Sequence, residues 1–327
     1  GMVDYFGDNL KANNTLLGTS AGKILTTAAS NVIIGKNAGL AKTSGSNATI
    51  IGTSAARSTA SGSFVVLIGS EAGISNTGNN AIAIGSESGR VNTAAATVSI
   101  GHNSGYSNTS GADNTNIGYQ AGYSGTTAAY RTMVGFQAGY GNTGAQNVFV
   151  GQRSGTGTGT GANNVAVGSN TLRGNNAGSN NAVLGHQALN YTTGGNNTAV
   201  GYFAGNSITT GSNLTIIGYD ADASSATATN EITLGNASVT ALRIPGLQSG
   251  ASDGDVLTFA SGTGLITLAA AGGGGASDLN GLSDVSVDLT NDSAYFINIP
   301  SSATGAGNLV IGESAANAIT SAPSNTI

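Results

Sequence analysis

A six-residue motif recurs along most of this chain at an almost constant spacing. NNVAVG occupies residues 163–168, and close variants of it end at residues 35, 185 and 201. Fourteen consecutive copies end in a glycine, and each step from one of these marker glycines to the next is 16 or 17 residues. A fixed short period predicts a solenoid, in which each repeat forms one coil of a stack. The marker glycines are Gly18, Gly35, Gly52, Gly69, Gly85, Gly101, Gly118, Gly135, Gly151, Gly168, Gly185, Gly201, Gly218 and Gly235, and a fifteenth copy ends at Gly312.

The residues before each marker glycine have the period of a β-strand. The residue directly before the glycine is Leu, Ile or Val in every copy, and the residue two positions earlier is Val, Thr, Ile, Leu or Ala. This alternation predicts a strand whose aliphatic side chains line the inside of the coil. The residue between them faces the other way and is also apolar in 12 of 15 copies, so both faces of the strand require cover.

The residues after each marker glycine predict a tight turn. The third residue after the glycine is Ala, Ser or Thr in all copies, and the fourth is often a second glycine, as at Gly22 and Gly122. Glycine tolerates positive φ, so this pair is expected to reverse the chain, and a second short strand and a polar loop should complete the coil. The Asn residues before each strand suit loops, and stacked copies of them are able to form a ladder.

A single coil of this length encloses little core. Its inner positions are Val, Ile, Ala and Thr, and a lone roll leaves one apolar strand face in water. Association with further copies of the same chain would cover that face, and three copies about one axis do so most economically. We therefore expect a homotrimeric fibre, with a single-chain β-solenoid of thin core as the alternative.

The repeats resemble those of two kinds of surface protein. NNVAVGSNTL, NNAIAIGSESG and NNTAVGYFAG resemble the head repeats of trimeric autotransporter adhesins, which form left-handed parallel β-rolls in homotrimers. NVFVGQRSG, DNTNIGYQAGYSGTT and NEITLGNASVTALRIPG are more similar to the shafts of bacteriophage tail fibres. The resemblance covers most of the chain. It implies a structural protein of the virion that takes part in host attachment, with other fibre or tail proteins as partners; a bacterial surface adhesin is the alternative.

The periodicity predicts four segments, all of them β or irregular. Residues 1–12 form a capping segment, and residues 13–238 form a β-roll of about fourteen coils. Residues 239–306 form a small all-β neck with a Gly-rich linker at 269–276, and residues 307–327 begin a second β-roll.

Two elements are predicted within the neck. VTALRIPG, at residues 239–246, predicts a strand ended by a proline, and DVLTFASGTGLITL, at residues 255–268, predicts a hairpin. Six aspartates between residues 253 and 292 match no calcium-binding loop, so we interpret them as solvated turns and expect no metal. The alternative is a metal held by carboxylates from three chains that meet near the trimer axis.

Composition and charge argue against several classes of function. The chain has 10 basic and 15 acidic residues and no basic stripe that would neutralise phosphates, so nucleic-acid binding is not expected. No apolar run approaches the ~20 residues that cross a bilayer, so membrane insertion is not expected either. The chain has no cysteine, and neither His102 nor His186 has a carboxylate partner at motif spacing, so we predict a protein without catalytic activity or cofactor.

One pair of acids and two columns of aromatic residues are candidate sites. Glu71 and Glu87 take equivalent positions in neighbouring coils, and paired carboxylates occur in glycosidases, although a solvated pair is the preferred interpretation and a solenoid polysaccharide hydrolase the least favoured function. Aromatic residues recur at 17-residue spacing, which predicts a stacked ladder. The alternative is a platform that contacts host surface glycans. The aromatic candidates are Tyr106, Tyr123 and Tyr140 in one column and Tyr119 and Phe136 in the other, which Tyr202 and Tyr219 extend later in the chain.

Overall fold

The computed structural model describes residues 13–157, 159–174, 178–244, 256–260 and 265–269. The chain divides into two compact units, Gly1–Val239 and Thr240–Ile327. Every named element of the described residues is a β-strand, and none is a helix. The first unit is a parallel β-solenoid, as the repeat predicted.

One 14-stranded parallel sheet runs through the first unit, with the strands in chain order. Each strand pairs with the next in register, so that Leu17 lies opposite Ile34 and Val150 opposite Val167. The residues that precede successive marker glycines therefore lie side by side in the hydrogen-bonded sheet. The strands are β1 (Thr15–Leu17), β2 (Val32–Ile34), β3 (Thr49–Ile51), β4 (Val66–Ile68), β5 (Ile82–Ile84), β6 (Val98–Ile100), β7 (Thr115–Ile117), β8 (Thr132–Val134), β9 (Val148–Val150), β10 (Val165–Val167), β11 (Ala182–Leu184), β12 (Thr198–Val200), β13 (Thr215–Ile217) and β14 (Ile232–Leu234).

Each coil contains one strand, so the prediction of a second strand per coil is wrong. The reason is backbone conformation after the marker glycine. In the coil of Gly118, for example, Gln120 has a φ of 53° and Gly122 a φ of 61°. Strands require negative φ, so two left-handed residues within five positions turn the chain repeatedly and leave no room for a second strand.

The marker glycines form a file along the stack, as expected. From Gly18 to Gly218 their φ values lie between 126° and 144°, a region that is essentially reserved for glycine. A Cβ added at Gly118 would meet the backbone carbonyl of Gly135, and one added at Gly135 would meet that of Gly151. Glycine is therefore required at this position both by conformation and by the close approach of the next coil.

Four strands, β1 and β10 to β12, are directly preceded by a pair of Asn residues, and the two members of the pair have separate roles. The first Asn of NN, such as Asn163 or Asn180, has a φ of 58° or 61° and lies exposed at a corner of the coil. Asn tolerates this left-handed conformation better than most residues. The second Asn of these pairs, as at Asn164 and Asn181, is buried and points into the roll.

These buried Asn residues form the predicted ladder. The Asn164 Oδ1 accepts a hydrogen bond of 3.0 Å from the backbone N–H of Asn181, and the Asn181 Oδ1 accepts one of 3.0 Å from the N–H of Asn197. The Asn164 Nδ2 donates to the carbonyl of Gly178, 3.0 Å away in the loop of the same coil. Each amide thus joins one coil to the next and joins the strand to the opposite wall of its own coil.

The strand faces are the reverse of those predicted. The middle residue of each strand points into the roll, and Ile33, Leu67 and Phe149 are fully buried. The aliphatic residues before the marker glycines point outward instead, and Leu184 is 52% exposed. The residue just before the strand is buried in β1 to β13 and is Asn in seven of them. Because side chains alternate along a strand, an inward residue at that point places the first and third residues outside.

In two neighbouring coils, the middle residue of the strand and the residue four positions after the marker glycine have complementary sizes. Phe149 is matched by Gly155, where any side chain would overlap the phenyl ring. In the next coil the small Ala166 is matched by Leu172, which is fully buried at a φ of 51°. In these two coils the two positions share one volume, which keeps the core filled.

Two cations lie inside the roll. Lys42 is fully buried, and its Nζ donates to the carbonyl of Gly62 at 2.9 Å. Arg131 is 1% exposed and fills the space left by Gly125, with its Nη1 donating to the carbonyl of Asn142 at 3.0 Å. Neither forms an ion pair within the described residues. Burial lowers the pKa of Lys42 to about 8 and that of Arg131 to about 10.

The second unit contains the predicted hairpin. Strands β15 (Val256–Ala260) and β16 (Leu265–Ala269) pair antiparallel. The strand predicted at residues 239–246 is wrong over residues 239–244, which are irregular. The capping segment, the rest of the Gly-rich linker, the aspartates between 253 and 292, Gly312 and the second β-roll lie outside the described residues.

Exchanging the large and the small residue between positions 149 and 155 tests whether the two positions share one volume. Gly155→Leu should destabilise the roll because its side chain overlaps Phe149, and Phe149→Ala should cost about 3–5 kcal/mol through the cavity that it leaves. The double variant reproduces the pairing of Ala166 with Leu172 and should regain much of that loss. Urea unfolding of the four proteins measures the coupling, and strictly additive losses would contradict a shared volume.

The stability of the roll should depend on pH through Lys42. Between pH 8 and 10.5 the folded chain has lost the Lys42 proton while the unfolded chain keeps it, so the free energy of unfolding should rise with pH in this window. Lys42→Met should remove that rise and increase stability at pH 7. Lys23→Met is the matched control, since Lys23 is exposed. Equal pH profiles for the two variants in urea unfolding would show that Lys42 has no such effect.

Candidate functional site

The first and third residues of β1 to β14 form one continuous outward surface, which we term the sheet face. The third position is always Leu, Ile or Val, and the first is Val, Ile, Thr or Ala. No charged residue occurs at these positions in any of the fourteen strands. Val165 is 45% exposed and Ile217 is 42% exposed. The sheet face is therefore uncharged and mostly aliphatic, with Thr at the first position of six strands, and it is partly open to solvent in the single chain.

The size of the sheet face follows from strand geometry. Fourteen strands ~4.8 Å apart give a length of roughly 65 Å, and three residues per strand give a width of roughly 10 Å. The resulting area of roughly 650 Å² exceeds the largest apolar patch of a typical monomeric protein, which is about 300–600 Å². It approaches the roughly 800 Å² that each partner contributes to a standard protein interface.

The predicted tyrosine column is a stack of rings. The ring centroids of Tyr106 and Tyr123 lie 4.9 Å apart, and those of Tyr123 and Tyr140 lie 5.0 Å apart, with interplanar angles of 8° and 13°. The guanidinium of Arg90 covers the free face of Tyr106, 5.2 Å from its centroid. Desolvation, and then the neighbouring phenols of Tyr106 and Tyr140, raise the pKa of Tyr123.

The second column is also stacked and is closed at one end by an arginine. Tyr119 and Phe136 lie 5.2 Å apart at 8°, and Arg153 covers Phe136 at 5.8 Å. His102 lies against Tyr119 at 5.5 Å. The faces of these rings are therefore used within the column, and solvent meets mainly their edges. This arrangement favours the ladder over a platform on which sugar rings would stack.

A third stack joins His186 to Tyr202 and Tyr219, the two tyrosines predicted to extend the second column. His186 stacks on Tyr202 at 5.2 Å, and Tyr202 stacks on Tyr219 at 5.5 Å. From the sequence alone, His102 and His186 are considered only as catalytic candidates without carboxylate partners. Their spacing of one coil from the next aromatic residue was the signal that would have placed both of them in the columns.

Glu71 and Glu87 occupy the predicted equivalent positions, two residues after successive marker glycines, with φ values of 57° and 54°. The Glu87 carboxylate forms an ion pair with Arg90 at 3.6 Å, and Arg90 in turn covers Tyr106. Glu87 is thus joined to the end of the tyrosine column through Arg90, and this contact gives the carboxylate a structural role.

The described residues contain no group of three or more His, Asp or Glu side chains placed to hold a metal ion. A search of the same residues also found no helix with the length and hydropathy of a membrane span. Comparisons of the chain with protein families, with curated proteins and with solved structures found no match. The sheet face and the aromatic columns are therefore the features on which a functional interpretation rests.

Loss of a central ring should destabilise the tyrosine column. Tyr123→Ala removes two stacked contacts and should cost about 1–3 kcal/mol, since each aromatic pair contributes about 0.5–1.5 kcal/mol beyond buried area. Tyr191→Ala is the control, because Tyr191 is exposed and contacts no ring in the described part of the chain. Urea unfolding measures both variants. The glycan-contact prediction for this column requires that Tyr123→Ala also lose binding to host cells or glycans.

Proposed function

We propose that this protein is the shaft of a homotrimeric fibre, and specifically of a bacteriophage tail fibre that takes part in attachment to the host surface. The observation that supports the proposal most strongly is the sheet face. Its third position is Leu, Ile or Val in every one of fourteen consecutive coils, although the fold of the single chain leaves these side chains partly exposed to water.

Self-association explains why these outward positions are aliphatic. Burial of apolar surface contributes about 25 cal/mol per Å² to the free energy of association. In a monomer, the strand face that meets solvent would normally carry polar residues. Three copies about one axis parallel to the stack would cover the sheet face of each copy with those of the other two. The resemblance of the repeats to trimeric heads supports three copies rather than two.

The rest of the coil suits a passive shaft. Each coil is joined to the next by strand pairing, the Asn ladder and the ring stacks add contacts in part of the stack, and all of these interactions run along it. Connections of this kind resist separation and bending of the coils, which a structure that holds an attachment tip away from a particle requires. Enzymatic activity and cofactor binding form no part of the proposal.

A bacterial trimeric surface adhesin remains the alternative, because its head repeats carry the same motif. The two settings differ in location. An antibody against residues 13–238 should label the tail fibres of phage particles if the proposal is correct. Labelling of the outer surface of uninfected bacterial cells would favour the adhesin instead.

A charge on the sheet face should prevent assembly. The wild-type protein should have a mass of three times 31.7 kDa by light scattering. Val134→Asp places a carboxylate on the sheet face and should yield folded monomers. Thr126→Asp, at an exposed position in the loop of the preceding coil, should leave the trimer intact. A monomeric wild-type protein would refute the proposed assembly.

A further inference from the structure

The corner position, two residues before each strand, has the same left-handed backbone in every coil. All fourteen residues there have φ values between 53° and 61°, and all are exposed. Eight are Asn, the non-glycine residue that tolerates this conformation well. The other six are Ser30, Phe64, Ala96, Asp113, Tyr130 and Gln146.

Phe64 and Tyr130 do not suit the corner position on local grounds. A bulky residue at positive φ is a backbone outlier, and such outliers cluster at functional contacts. Phe64 is 61% exposed and Tyr130 is 64% exposed, and neither contacts another ring within the described residues. The coil gains neither burial nor relaxed backbone from these aromatic groups, so their contribution must be sought outside the single chain.

Both residues lie at one edge of the sheet face. In each coil the corner position comes before the strand and lies at one edge of the sheet face. The residue directly after the marker glycine comes after the strand and lies at the other edge. For the coil of Tyr130 that residue is Phe136, which is 40% exposed. For the coil of Phe64 it is Ser70, a small residue that leaves space.

Threefold symmetry about an axis parallel to the stack constrains which edges meet. Rotation about that axis leaves the height of every coil unchanged, and a ring of three copies joins unlike edges. The corner edge of one copy therefore adjoins the post-glycine edge of the next copy at the same coil. Tyr130 of one copy then faces Phe136 of its neighbour, and Phe64 faces Ser70.

We propose that Phe64 and Tyr130 are the contact residues that join the edges of the sheet face between copies of this chain. The inference rests on the proposed homotrimer. Exposed aromatic groups of this kind commonly dominate the energy of protein interfaces. Burial against the neighbouring copy would offset the strained corner backbone of the single chain.

The test replaces each aromatic residue by the usual residue of its own position. Phe64→Asn and Tyr130→Asn suit the left-handed backbone and should fold, but each should weaken trimer association roughly tenfold or more, as truncated interface anchors do. Ala96→Asn is the matched control, since it makes the same corner change without removing an aromatic group. Sedimentation velocity over a dilution series measures association, and circular dichroism confirms the fold.

The outcomes separate this inference from the proposed function. A trimeric wild type with weakened Asn variants and an unaffected Ala96→Asn supports the inference. A trimeric wild type whose Asn variants associate normally overturns the inference and leaves the homotrimer standing, whereas a monomeric wild type removes both.

A disulfide provides a second readout of the edge contact. The chain contains no cysteine, so the double variant Tyr130→Cys with Phe136→Cys can form only the designed bonds. It should give a covalent trimer on a non-reducing gel, while Tyr130→Cys alone should give none. A double variant that stays uncrosslinked after oxidation, although it is trimeric in solution, overturns the contact between these two edges.

Discussion

Strand pairing in register between successive coils is the interaction on which the whole structure depends. Because each coil lies on the next with the same offset, every position meets its own equivalent about 4.8 Å away. Equivalent positions of successive coils are therefore occupied by residue types that pack well against a second copy of themselves. Glycine meets glycine in the file of marker residues, Asn donates to Asn inside the roll, and rings stack on rings outside it.

The inward Asn links this stacking to the proposed function. An amide inside the roll has hydrogen-bond partners in the neighbouring coil and in its own loop, so its burial is compensated. Alternation along the strand then places the branched aliphatic residues outside. The sheet face thus lies opposite the inward positions, which hold Asn in seven coils, and its aliphatic surface is left to be covered by other copies.

The corner position and the interior positions tolerate sequence variation in different ways. Inside the roll, Phe149 with Gly155 and Ala166 with Leu172 fill similar volumes in opposite ways, so size is shared between two positions. At the corner the backbone conformation is constant while the side chain varies, because that side chain projects into solvent. Phe64 and Tyr130 are therefore informative, since nothing within their own coils requires an aromatic group there.

The amino-acid sequence alone determined the solenoid, the number and spacing of its coils, the file of marker glycines and the positions of the stacked rings, because each of these follows from repetition at a constant interval. It did not determine which strand face is buried. Both faces of the strand are apolar in most copies, so hydrophobic pattern was ambiguous, and the inward direction of the second Asn became visible only in the folded coil. The single strand per coil likewise required tertiary structure, since left-handed φ at non-glycine residues such as Gln120 is not readable from residue type.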